Sequence, residues 1–156
     1  MGANITQGPG TVFSGPVLSG TKKDADAAGP ANLGPALLSQ SVTLTQNGTN
    51  NVSGTVVLPK GSQIVDILAD TTTAWNSGTS DTLSVGVAAG GIDYASAVST
   101  AAAGRVRPTF TSAQLTAMLD IGSNVDVVAT VTPSGTAATA GSTTVTVLYV
   151  QKVVTT

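Results

Sequence analysis

The sequence predicts an all-β protein: a jelly-roll-like sandwich with one short helix and an extended N-terminal arm. Three observations lead to this fold class. The chain is rich in Thr and Val, whose branched Cβ atoms favour strands. Short apolar–polar alternations recur with turn residues between them, at the spacing of about 8 to 12 residues that is typical of sandwiches and barrels. The first 38 residues, in contrast, show no helical or strand period.

Residues 1–38 are predicted to form an extended Gly/Pro-rich arm, and residues 39–156 to form the sandwich domain. Four of the seven prolines lie in the arm, each beside a glycine. The run KKDAD places Lys22 and Lys23 next to Asp24 and Asp26. We expect an arm that orders when it lies across a neighbouring molecule, and a disordered tail is the alternative.

The strands are predicted in chain order from alternation and turn signals. Asn47-Gly48 is a strong turn signal after the first strand, and LPKG at 58–61 fits a type I turn with Pro59 at its second position. An eight-stranded jelly roll fits a domain of this length best, although the Greek-key order cannot be read from one sequence. The predicted strands that can be placed individually are residues 40–46, 51–58, 62–75, 81–88, 124–133 and 142–151.

One segment, residues 111–119, has a helical pattern. Thr111 and Gln114 form a T-x-x-Q capping box. Leu115, Met118 and Leu119 then follow at helical spacing. We expect a helix of about two turns that closes one end of the sandwich and turns this apolar stripe into the core.

The composition excludes several classes of function. The chain has no cysteine and no histidine, so the commonest metal ligands and the commonest general base are absent. A net charge of −2 and a pI of about 4.6 argue against a nucleic-acid partner. No apolar run approaches the roughly 18 residues that a membrane span needs. We therefore expect no cofactor, no metal and no enzyme activity; Asp24 and Asp26 are the nearest approach to a calcium site.

Asp66 and Asp70 raise the question of a catalytic acid pair. They lie four residues apart in one predicted strand, which places them on the same face. Their separation along the strand is about 13 Å. Because glycoside hydrolysis needs carboxyl groups about 5 to 9.5 Å apart, the spacing predicts solvated acids on a strand face, and the alternative is that either acid pairs with a residue from another strand.

The candidate partner-interface residues are Lys22, Lys23, Trp75, Arg105 and Arg107. The two arginines stand in GRVRPTF, where an extended chain would place them on one face. Arginine binds carboxylates in a bidentate manner and is enriched at interfaces, so the pair could anchor in an acidic groove of a partner. The alternative is two solvated surface charges. Trp75, the single tryptophan, is either a core residue or an interface anchor.

Four stretches together resemble head decoration, or capsid cement, proteins of tailed bacteriophages. The stretches are LPKGSQIVDILADTTTAWN, TLSVGVAAGGIDYASAV, AAAGRVRPTFTSAQL and VVATVTPSGTAATAGSTTVTVLYVQ. The resemblance covers residues 40–152 and is one of pattern and composition. It implies a jelly-roll-like domain, self-association as a homodimer or homotrimer, and binding to the major capsid protein on the outer surface of the virion. It implies neither enzyme activity nor a cofactor.

Two other classes of function compete with capsid decoration. One is a receptor- or carbohydrate-binding virion module, such as a head fibre or a tail spike. Sugar sites commonly stack rings on exposed aromatic side chains, and this chain has one Trp, two Tyr and two Phe. The other is a bacterial surface-lattice subunit, which a cysteine-free, Thr-rich composition permits.

Overall fold

The computed structural model describes residues 36–151, which form two four-stranded antiparallel sheets packed face to face. Alternating apolar residues on each strand point between the sheets, as the strand period of two requires. The elements are β1 (Leu37–Thr45), β2 (Val52–Val57), β3 (Gln63–Thr73), β4 (Ser80–Gly86), β5 (Ala95–Ser99), β6 (Gly104–Val106), α1 (Ser112–Met118), β7 (Asp126–Ser134) and β8 (Ser142–Val150).

The strand order is that of a jelly roll. One sheet has the order β1-β8-β3-β6 and the other has the order β2-β7-β4-β5. The strand pairs β1–β8, β2–β7, β3–β6 and β4–β5 are nested in the sequence, so that each pair lies between the two strands of the pair before it. Such nesting is what results when one long antiparallel hairpin is rolled up, so that β3 also meets β8 and β4 also meets β7. The predicted sandwich with one short helix is confirmed, and the predicted arm lies almost wholly outside the described residues.

Two strands, β5 and β6, were not placed individually by the sequence pattern. β5 contains Ala97 at a φ of 55°, and its pairing with β4 shifts register between Leu83 and Val85. β6 has three residues, all of them exposed. Alternation cannot reveal a strand that is interrupted or that has no buried side chain.

The core is continuous and contains one polar cluster around Trp75. Trp75 is 2% exposed, and its indole Nε1 donates a hydrogen bond to Thr143 Oγ1 at 2.9 Å. The hydroxyl of Thr143 also lies 3.0 Å from that of Thr71. Gly141 is in contact with the indole, because a Cβ built on Gly141 would lie 2.5 Å from Trp75 Cδ2. Thus Trp75 is a core residue in this chain, which is the first of the two alternatives considered for it.

The connections alternate between the two ends of the sandwich. We call one the turn end, made of residues 46–51, 74–79, 100–103 and 135–141. The other is the helix end, made of residues 58–62, 87–94 and 107–125. The register pairs Leu37 with Val150 and Val150 with Gln63, so both limits of the described chain lie at the helix end.

The two turns predicted from sequence are present, one of them shifted. Asn50 N donates to Asn47 O at 3.1 Å, with Gly48 at a φ of 65°, in the connection that crosses from one sheet to the other. The type I turn predicted over 58–61 is wrong in register, because Ser62 N donates to Pro59 O at 3.1 Å. Gly61 is therefore the third residue of its turn, and its φ of 72° is one that glycine adopts without strain.

The helix begins where the capping box predicts, but its apolar stripe is not all core. Thr111 Oγ1 accepts from Gln114 N, and Gln114 Oε1 accepts from Thr111 N. Met118 is buried, whereas Leu115 and Leu119 are 50% and 55% exposed. The expectation that these two leucines are core is wrong, because Gln114 takes the inward position and donates from Nε2 to Ile92 O at 3.0 Å.

Candidate interaction surfaces

Two ion pairs, which we call the charged ladder, lie on the outer face of the sheet at β3 and β6: Asp70–Arg105 and Asp66–Arg107. Arg105 donates from Nε to Asp70 Oδ1 at 2.6 Å and from Nη2 to Asp70 Oδ2 at 2.9 Å. Arg107 donates from Nε to both oxygens of Asp66, at 2.9 and 2.8 Å. The antiparallel register places Asp70 opposite Arg105, so the pleat presents both side chains on one face.

The Asp70–Arg105 pair has the electrostatics of an exposed, bidentate ion pair. The hydrogen bonds from Arg105 lower the pKa of the Asp70 carboxyl, and the same contact raises the pKa of the Arg105 guanidinium. Arg107 in addition lies over the ring of Phe110, with 5.8 Å from Cζ to the ring centroid. Each arginine thus has its carboxylate within the same chain.

The sequence predictions for these four residues have different outcomes. Asp66 and Asp70 do share a face, as the strand period predicts, and each is held by an arginine. An acidic partner for Arg105 and Arg107 is already supplied within the chain, so their role at an interface with another molecule stays a prediction. Lys22 and Lys23, the other charged candidates, lie outside the described residues.

The turn end is closed by hydrogen bonds among its own loops. Asn76 Oδ1 accepts from the backbone N–H groups of Thr139 and Ala140, each at 2.9 Å. Its Nδ2 donates to Thr139 Oγ1 at 2.9 Å. Ser77 Oγ donates to Ser80 O and accepts from Ser134 N. No charged residue occurs in the four connections of this end, and their polar groups largely satisfy one another.

Asp81 is a buried acid next to the turn end. Its Oδ2 accepts from Ser77 N at 3.0 Å, and its backbone oxygen accepts from Thr100. Oδ1 is the one buried side-chain oxygen or nitrogen without a partner among the described residues. The carboxylate therefore acts as a cap for the 74–79 connection.

The helix end differs in that it exposes large apolar side chains. Among residues 36–151, every large hydrophobic that is exposed lies in a connection of this end or within three residues of a strand terminus there. Ile92 is the most exposed of them, at 61%. The set comprises Leu37, Leu38, Val57, Val65, Val87, Ile92, Val106, Leu115 and Leu119.

The four edge strands differ in how they are protected against pairing with another chain. β6 is short, carries Arg105 and is followed by Pro108, while β5 is interrupted by Ala97 and a register shift. These features are ones by which proteins block sheet edges. β1 has nine residues without charge, proline or register shift, and β2 is likewise uncharged. Within residues 36–151, the β5–β6 flank of the sandwich is therefore protected in this way and the β1–β2 flank is not.

The described residues contain neither a candidate metal site nor a membrane-spanning helix. No group of three or more acidic, histidine or cysteine side chains in this part of the chain could hold a metal ion. No helix between residues 36 and 151 is long and apolar enough to cross a bilayer.

Sequence reasoning missed the exposed apolar end because exposure is a tertiary property. Leu115 and Leu119 follow a helical period that is typical of a buried stripe. Ile92 and Val87 stand in a Gly- and Ala-rich run that gives no period at all. Gln114 of the capping box is buried, and Leu115 follows it about 100° further round the helix and faces outward, but the sequence does not show that Gln114 is buried.

Comparisons with known proteins identify a phage capsid structure as similar in fold. No protein-family model matches the chain, and no curated protein matches it. A chain in the solved structure described as "Cyanophage Pam1 capsid asymmetric unit" matches with a TM-score of 0.52 and 20% sequence identity. The match covers 86% of this chain and 98% of that chain. At this identity the likeness shows a shared fold.

Proposed function

We propose that the protein is a capsid decoration protein of a tailed bacteriophage, which binds the outer surface of the head and stabilises contacts between major capsid protein subunits. The observation that carries the proposal is the likeness of its fold, over 98% of the other chain, to a chain from a phage capsid. The match extends over nearly the whole of that chain, so the likeness is not limited to a small part of it.

The layout of the sandwich supports a role in binding and not in catalysis. The one acid pair raised by the sequence, Asp66 and Asp70, is engaged by Arg105 and Arg107. What the described surface offers to a partner is an unguarded β1–β2 flank and an apolar helix end. A decoration protein acts through buried interface area, for which about 800 Å² per partner is typical of a stable contact.

Self-association is the part of this proposal that the β1 edge supports. Within residues 36–151, β1 is an uncharged nine-residue edge strand whose outer side has no strand partner, and such an edge offers backbone N–H and C=O groups to an adjacent copy. Ser41 lies at the centre of β1 and is exposed. Ser41→Lys should convert a homodimer or homotrimer into monomers in analytical ultracentrifugation, whereas Thr72→Lys, in an exposed position of the internal strand β3, should not. Equal oligomeric states for the two variants would exclude the β1 edge as the contact.

The carbohydrate-binding alternative finds little support among the described residues. Trp75, Tyr94 and Tyr149 are buried, and Phe110 packs against the core. A flat aromatic platform for sugar rings is therefore missing from residues 36–151. A glycan array that shows specific binding by the full chain would nevertheless favour this alternative over decoration.

The direct test is to locate the chain in purified particles and to measure what it does there. Heads prepared with and without the chain should be compared by electron microscopy, where decoration predicts extra density on the outer surface over subunit joints. Heads that lack the chain should release DNA at a lower temperature, and adding the purified chain back should restore the release temperature. Density inside the head or on the tail would contradict the proposal.

The role of the arm is tested by a truncation whose boundary the structure defines. Because β1 begins at Leu37, removal of residues 1–35 keeps every strand intact, whereas removal of 1–38 would shorten β1. The truncated chain should remain folded by circular dichroism and bind heads more weakly than the full chain. Equally tight binding would show that the arm has no part in attachment.

A further inference from the structure

We infer that the helix end is the surface by which the sandwich docks on the shell, and that it fits a protein surface that is apolar at its centre and basic at its rim. This inference rests on the proposed function and adds to it the surface of this chain that is used. Soluble monomers seldom expose contiguous apolar patches beyond a few hundred Å², and apolar side chains concentrated in one place mark contact sites.

The first step is the segregation of exposed apolar side chains. Three elements that are far apart in sequence contribute: the start of β1, the 87–94 connection and α1. Chance exposure would distribute such residues over both ends and both outer sheet faces. The turn end exposes no large apolar side chain, although its four connections contain 23 residues (six, six, four and seven in chain order). The exposed apolar side chains are therefore a specific feature of the helix end.

The second step is that the fold does not require these side chains to be apolar. Leu115 and Leu119 stand on the outward face of α1, while Gln114 and Met118 make its buried contacts. Polar residues at positions 115 and 119 would leave those contacts unchanged. Ile92 contributes its backbone oxygen to Gln114 and exposes its side chain. These side chains are thus available for an external contact at little cost to folding.

The third step is charge, which selects the kind of occupant. Among the described residues, the helix-end connections carry Lys60 and Arg107 against Asp93 and Asp120, and the adjoining strand residues Asp66 and Asp126 bring this region to four acids and two bases, a net charge of −2. Two copies facing each other through this end would bring a net charge of −4 into one contact. Like charges disfavour such a contact, and a basic rim on a different protein complements it.

The fourth step is the course of the chain. Leu37 and Val150 are paired at the helix end, so the 35 residues that precede the described region and the five that follow it both join the sandwich there. If residues 1–35 contribute to attachment, as proposed above, they start from the same end as the exposed apolar side chains. The apolar end and the root of the arm therefore coincide.

The test compares two outward leucines with a matched position at the opposite end. The variant L115Q/L119Q removes apolar surface without touching the buried face of α1, and Ala102→Gln places a glutamine on the exposed 100–103 connection of the turn end. Binding of the full chain to shells of the virus that encodes it, stripped of the chain, is measured by cosedimentation. We expect L115Q/L119Q to bind at least about tenfold more weakly and Ala102→Gln to bind as the wild type does.

Charge provides a second, independent arm of the test. Asp126→Asn removes one exposed acid at the start of β7, beside the helix end, and should weaken binding and reduce its dependence on salt. The Asp70→Asn variant, with its change on the outer sheet face, should leave the salt dependence as it is. Unchanged salt dependence for Asp126→Asn would overturn the basic-rim part of the inference.

The outcomes separate this inference from the proposed function. If the wild type fails to bind stripped shells, the proposed function fails. If the wild type and L115Q/L119Q bind equally, decoration stands and the docking surface lies elsewhere. If L115Q/L119Q becomes monomeric in ultracentrifugation while the wild type is an oligomer, the occupant is a second copy and the inference is overturned. Circular dichroism and the thermal midpoint confirm that each variant is folded.

Discussion

The loops at the two ends of the sandwich differ in what their side chains contact. At the turn end, the polar groups of neighbouring loops bond to one another, as Asn76 does to the 135–141 connection, and Trp75 closes the core beneath them. At the helix end, the buried Gln114 ties α1 to the 87–94 connection, and Leu115 and Leu119 face outward. The polar groups of the turn end are largely satisfied within the chain, whereas the helix end has apolar side chains on its surface.

Together with the docking surface inferred above, this difference predicts that stability and recognition are separated along the long axis of the sandwich. Substitutions of Trp75, Asn76 and Gly141 at the turn end should lower the free energy of unfolding, because each disturbs a contact within the chain. Outward substitutions at the helix end should change association and leave folding nearly unaltered.

The largest effect is expected for Trp75→Ala. Removal of the indole leaves a cavity and takes the donor from Thr143, so the free energy of unfolding should fall by about 3–5 kcal/mol. Leu115→Ala, at the helix end, should change it by less than about 0.5 kcal/mol. Urea unfolding followed by circular dichroism measures both. Similar losses for the two variants would show that the helix end is as much a part of the core as the turn end is.

Gly141→Ala should come next, because the added methyl group meets the Trp75 ring. Gly141 has a φ of 153°, and the new Cβ would lie 2.5 Å from the indole. Overpacking of this kind costs about 1–3 kcal/mol. Gly104→Ala is the matched control, since Gly104 has a φ of 139° but nothing within 4 Å of an added Cβ. The difference in urea midpoint isolates the clash, and equal midpoints would mean that the indole moves aside freely.

Asn76→Ala should have a moderate effect. Three hydrogen bonds from Asn76 tie the 74–79 connection to the 135–141 connection. We expect a loss of about 1–2 kcal/mol, mostly from backbone N–H groups left without an acceptor. Asn50→Ala, which removes one exposed bond to Asn47 O, should cost clearly less. Hydrogen exchange at Thr139 and Ala140 should accelerate in Asn76→Ala; unchanged exchange would indicate that other groups close this end.

The smallest effect is a pH-dependent one at Asp70. Arg105 lowers the pKa of the folded-state carboxyl below its ordinary value of 3.8, so the pair stabilises the fold above that pH and the contribution is lost as pH falls through the lowered pKa. The wild type should therefore be slightly more stable than Asp70→Asn at pH 6, and the difference should vanish in strong acid. Thermal unfolding from pH 6 to pH 2 measures it. A difference that persists at pH 2 would assign it to packing.

The sequence placed most of the elements because their signals are local. Alternation located six of the eight strands, and the capping box of Thr111 and Gln114 located the helix start. It did not locate β5 or β6, whose irregular backbone or short length leaves no period. In the charged ladder, the sequence identified both acids and both arginines but not how they pair. The partners are separated by 35 and 41 positions in the chain, and they meet only once β3 and β6 are adjacent.

The sequence by itself determined an all-β sandwich with one capped helix, because strand period, turn residues and capping are properties of short segments. Only the tertiary structure decided which strands are neighbours, that Arg105 and Arg107 bind Asp70 and Asp66, and that Leu115 and Leu119 face outward. The physical reason is that burial and pairing depend on what lies opposite a residue. A jelly roll brings together strands such as β1 and β8 that are about as far apart in the sandwich sequence as two strands can be.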